Sequence, residues 1–120
     1  MEDYRLGVVE SKFADIIWAH APLPSRDLVV LCQQELNWKK PTTYTVLRKL
    51  CDRGIFRNED GLVSPVLSRE EFYSLQSEKY VADSFQGSLP AFVAAFTQRK
   101  SLTREEIDQI HRLIDAHSEV

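Results

Sequence analysis

The chain has 120 residues, 43% of them hydrophobic and 28% charged, with a formal net charge of −3. That length holds at most one compact domain with an appendage, and the mild acidity excludes a general nucleic-acid coat protein but not a binder whose positive charge is concentrated in one place. No apolar run approaches the ~20 residues of a membrane span. The opening MEDYRLG lacks an apolar signal core, so a cytoplasmic protein without membrane insertion is expected.

Val9, Phe13, Ile16 and Ile17 set a helical stripe, with Gly7 at its start, Glu10 placed for the helix dipole and Trp18 closing the core beside it. Two prolines in AHAPLPSRD break that helix. Ser25 has the chemistry of an N-cap for the next one, which Asp27 favours in its first turn. Leu28, Val29, Cys32 and Leu36 give this second helix its apolar face, and it ends near Asn37. A short turn of Trp38, Lys39 and Lys40 follows.

The third helix starts at Pro41, where a missing N–H costs nothing. Thr43, Val46, Leu47 and Leu50 fall on one apolar stripe, whereas Thr45, Arg48 and Asp52 face the other way, flanked by Thr42, Tyr44 and Lys49. Between residues 39 and 57 stand six basic residues against the single acid Asp52, a local charge of +5 on an acidic chain. A solvated surface face is the plain account of such a helix standing alone. Its neighbours favour a different one. Ile55–Arg57, a polar turn over Asn58–Gly61 and Leu62–Val66 read as a small hairpin. Pro65 confines the second strand to an edge or a very short pairing. Three short helices, the last basic, followed at once by a hairpin make a winged helix-turn-helix.

Residues 68–120 are helical. Ser68–Glu71 is a capping box opening a helix through Phe72, Leu75, Tyr80, Val81 and Phe85, which Gly87 stops. Leu89-Pro90 opens a second helix with Phe92, Val93 and Phe96, and the Thr103–Glu106 box opens a third with Ile107, Ile110, Leu113 and Ile114 on one face. The expected fold is mostly α with a small β-hairpin: a winged-helix DNA-binding domain over residues 1–67 and a helical dimerisation region over 68–120. Folding of the last three helices back onto the winged helix is the alternative. Phe85, Phe92, Phe96, Leu102, Ile107, Ile110 and Leu113 are the candidate dimer contacts. Thr45 and Arg48, with Tyr44 beside them, are assigned to base edges; Lys39, Lys40 and Lys49 to phosphates; Thr42 donates from the helix start.

Other chemistry is thin. Cys32 and Cys51 read as reduced packing residues, and His111, Asp115 and His117 as a solvated face rather than a metal site. Phosphate loops, nucleophile elbows and H-E-x-x-H patterns are missing from the sequence. Neither an enzyme nor a cofactor is expected. Two other readings remain open: a winged helix that binds an acidic protein, favoured by the acids of the wing tip, and a small hydrolase or ligand-binding domain whose site forms only in a dimer.

TTYTVLRKLCDRGIF, Thr42 to Phe56, resembles the recognition helix and following turn of the penicillinase and methicillin-resistance repressors. So does the opening LGVVESKFADIIWAHAPLPSRDLV, as do the SREE box and the T-x-x-E-I pattern near the C-terminus. The resemblance covers roughly residues 6 to 115. It implies a homodimeric repressor binding double-stranded palindromic operators with TACA/TGTA-type half-sites, its C-terminal helices interlocked between subunits. In antibiotic-responsive members a membrane sensor peptidase system triggers cleavage in the middle C-terminal helix. The matching bond here is Ala95–Phe96, with alanine where asparagine normally precedes the cut. The wing has Glu59, Asp60, Leu62 and Val63 where basic and aromatic residues are usual, and no cysteine follows Cys51 to form the cluster of copper-responsive relatives.

Overall fold

Helix α1 (Val8–His20) opens the computed structural model, which describes residues 4–119. Gly7 is its N-cap, and the Glu10 carboxylate reaches back to accept from the Gly7 N–H at 3.0 Å. Phe13, Ala14, Ile16 and Ile17 are buried along one face. Val9, expected on that stripe, is 49% exposed, because the stripe begins a turn later at Phe13. After α1 come β1 (Leu23–Pro24), α2 (Ser25–Leu36), α3 (Lys40–Asp52), β2 (Phe56–Glu59) and β3 (Leu62–Pro65). α4 (Arg69–Phe85), α5 (Leu89–Thr97) and α6 (Arg104–Ala116) complete the described elements. This is a winged helix followed by helices. No described helix is long and apolar enough to cross a membrane.

The chain divides into two compact units, Met1–Lys79 and Tyr80–Val120, with the division inside α4. In the first, α1, α2 and α3 surround a core of Phe13, Ile17, Leu28, Cys32, Leu47 and Leu50, closed by Ile55, Phe56 and Val63 of the wing and by Phe72. α2 ends at Asn37, which takes the left-handed conformation. The next residue, Trp38, stacks on Phe13 at 5.4 Å. That anchor fixes where α3 begins. A Schellman motif ends α3: Gly54, at φ +80°, donates to the Cys51 carbonyl at 2.9 Å, and Ile55 donates to that of Leu50 at 3.1 Å.

The sheet has order β1-β3-β2, all antiparallel. The expected polar turn is tighter than Asn58–Gly61: Asn58 and Glu59 belong to β2, and only Asp60 and Gly61 turn, both at positive φ. An Asp-Gly pair is what such a two-residue turn demands. β3 is the central strand, since Leu23 and Pro24 pair with Val63 and Leu62. Pro65 is tolerated there because β1 ends short of it, and it faces only Phe56 of β2. Two residues beside two prolines carry no strand periodicity, so β1 is illegible in the sequence.

In the unit starting at Tyr80, Tyr80, Phe85 and Phe92 form a ring cluster with centroids 5.5–6.1 Å apart, and Phe96 lies 6.4 Å from Phe92. Ser88 caps α5 and a Thr103–Glu106 capping box opens α6. No described residue from Tyr80 onward is fully buried.

Candidate nucleic-acid interface

α3 begins at Lys40, one residue before the expected Pro41, with Lys39 as its N-cap. Thr43, Leu47 and Leu50 are buried and Val46 is half-buried, so the opposite face is the one presented outward. On it or at its start, Lys39, Lys40, Thr42, Thr45, Arg48 and Lys49 are all exposed. Among the described residues no acid pairs with Lys39, Lys40 or Arg48. These three cations are therefore available to an anionic partner.

Three expected contacts are engaged elsewhere. The Thr45 hydroxyl donates to the Pro41 carbonyl at 2.9 Å, which leaves its oxygen free to accept. Lys49 Nζ lies 2.9 Å from Glu10 Oε2. That ammonium, followed by the Gly7 N–H, holds the Glu10 carboxyl below its ordinary range. Tyr44 is half-buried, and its hydroxyl lies 3.1 Å from Ser25 Oγ. Ser25 is not the N-cap of α2; Pro24 occupies that position and α2 has no side-chain cap bond. Sequence reasoning misses both partners, Glu10 and Ser25. Gly7-x-x-Glu10 ahead of an apolar run, a capping-box spacing without the hydroxyl, signals only the local role of Glu10 at the start of α1, not its pairing with Lys49.

The wing presents acid. Glu59 and Asp60 are exposed, and Arg57 Nε is 3.3 Å from Glu59 Oε1. Behind it, the Trp18 indole N–H donates to the Leu67 carbonyl at 3.0 Å, and its ring lies 5.3 Å from Phe56 and 5.6 Å from Phe72. Trp18 thus ties the wing to the start of α4. Burial pushes the Cys32 thiol up to about 11, with the Thr43 hydroxyl opposing, and burial likewise raises Cys51. Neither has the low-pKa surroundings of a reactive cysteine.

The candidate dimer contacts fall into two groups. Phe85, Phe92, Leu102 and Ile107 are half-buried within their own unit. Phe96, Ile110 and Leu113 stand open, at 50%, 39% and 60% exposure, with Ile114 beside them at 57%. Ala95 and Phe96, the candidate cleavage pair, are both exposed in the single chain.

The penicillinase repressor of Bacillus licheniformis is 20% identical over 117 residues, covering 94% of this chain and 91% of that protein. The sequence profile of the penicillinase repressor family matches residues 6–116. The chain belongs to the penicillinase repressor family of transcriptional repressors.

Proposed function

We propose that the protein is a homodimeric, non-enzymatic repressor that binds a palindromic operator through α3. The unpaired cations Lys39, Lys40 and Arg48 on the outward face of a helix held by a winged-helix core carry this reading. Arg48 suits a bidentate contact to guanine and Thr45 a base edge; Lys39 and Lys40 suit phosphates, with Thr42 at the helix start. Lys49, held by Glu10, is a weaker candidate for phosphate. The winged helix, residues 1–67, supplies the reading surface, and residues 68–120 join the two subunits. An unburied helical unit with open Phe96, Ile110, Leu113 and Ile114 supports that second role, since a dimer gives these side chains a place away from water.

The reading extends to half-sites of TACA/TGTA type, a cytoplasmic location and release either through a membrane sensor peptidase cutting at Ala95–Phe96 or by a ligand or partner without any cut; the resemblance to the penicillinase repressors supports it. A beta-lactam-resistance or stress-response operon is the corresponding target. The acidic wing tip favours a second reading, a winged helix that binds protein. A fluorescence anisotropy titration with the DNA upstream of its own gene, against a scrambled duplex at two salt concentrations, separates them. Preferential, salt-sensitive binding upholds operator recognition, and equal weak binding to both duplexes refutes it.

A further inference from the structure

Ser25 stands where three parts of the winged helix meet. Its backbone N–H donates to the Gly61 carbonyl in the wing's turn at 2.7 Å. That bond satisfies one of the donors that the first turn of α2 leaves open. Its hydroxyl has the chemistry of a cap, yet makes no cap bond and lies 3.1 Å from the Tyr44 hydroxyl of α3. On the wing side Gly61 sits at φ +84°, and a Cβ there would meet Ser25 Oγ at an ordinary van der Waals distance of 3.9 Å. The pairing of Pro24 with Leu62 holds the same end of the wing beside the start of α2.

We propose that Ser25 is a positioning residue for DNA reading, fixing the recognition helix against the wing through the Tyr44 hydroxyl on one side and the Gly61 carbonyl on the other. The inference rests on the operator-binding reading. Tyr44 then acts through Ser25 rather than by donating to a base, in keeping with its half-buried ring. Contacts to base edges carry the sequence information, whereas phosphate contacts add an electrostatic attraction common to all duplexes. Loss of the Ser25–Tyr44 bond should therefore erode discrimination before it erodes affinity in general.

The test uses the full-length chain with the same upstream and scrambled duplexes, comparing wild type, Ser25→Ala, Tyr44→Phe, the double variant and Ser25→Thr, with thermal melts to establish folding. Ser25→Ala should weaken binding to the upstream duplex by about 3- to 10-fold, the worth of one hydrogen bond, and to the scrambled duplex by less than about twofold. Tyr44→Phe should match it, and the double variant should lose no more than either single. Ser25→Thr, which keeps a hydroxyl, should restore binding. Wild-type affinity in Ser25→Ala, equal losses on both duplexes, or losses that multiply in the double variant would each overturn the proposal. If wild type discriminates, Arg48→Ala abolishes that discrimination and Ser25→Ala leaves it intact, only the role of Ser25 falls. A wild type that binds both duplexes alike removes the operator reading and this inference with it.

Discussion

Arg48 and Lys40 are both exposed and unpaired, but their chemistry separates their tasks. A guanidinium can read guanine through two parallel bonds, whereas an ammonium meets phosphate as a point charge. Arg48→Ala should cost ~1–3 kcal/mol on the operator and relax sequence preference. Lys40→Ala should weaken all duplexes alike and flatten the salt slope by about one ion per subunit. Titrations of both variants on operator and random DNA check this division, and equal losses for Arg48→Ala would contradict it. Glu10 yields a pH prediction. Its folded pKa lies below the unfolded value, so its stabilisation is present at neutral pH and is lost as pH falls through the folded pKa. Glu10→Gln should therefore lower the Tm at pH 7, and the deficit should shrink progressively as pH is taken below the ordinary carboxylate range. A deficit that stays constant down to acid unfolding would show that the carboxylate charge is not what matters.

Among the elements, α1, α2 and α3 are legible because their buried faces recur at helical spacing, and the two boxes at Ser68 and Thr103 mark helix starts that the hydrogen bonds reproduce. Ser25 misleads for a physical reason: its capping chemistry is local, but its hydroxyl bonds nineteen positions away to Tyr44. Lys49 misleads in the same way, since its spacing on α3 does not reveal that α1 brings Glu10 to it. At the junction of wing and α4, Trp18 contacts Phe56, Phe72 and Tyr73 and bonds the Leu67 carbonyl. Trp18→Ala should destabilise the winged helix by about 3 kcal/mol, as truncation of a large aromatic does. Urea unfolding followed by circular dichroism measures it, and a loss below ~1 kcal/mol would mean that these contacts contribute little.

For the whole molecule the decisive asymmetry is burial. The unit ending at Lys79 has a closed aromatic and aliphatic core, whereas the described residues from Tyr80 onward have no fully buried side chain. Leu113 and Ile114 are more than half exposed in the single chain, so acidic replacements there cost the isolated unit little. Between two copies, each such side chain contributes about 1.5–3 kcal/mol on burial. Leu113→Glu with Ile114→Glu should leave helicity nearly unchanged and convert a dimer to a monomer in sedimentation at micromolar concentration. A wild-type chain that is itself monomeric there would contradict the dimer. The most direct measurement is a hydroxyl-radical footprint of the full-length protein on the DNA upstream of its own gene. The account predicts two protected patches on one face of the duplex, their centres about one turn or a whole number of turns apart, ~34–36 Å each, and their disappearance with Arg48→Ala. A single continuous protection independent of sequence, or none, would contradict it.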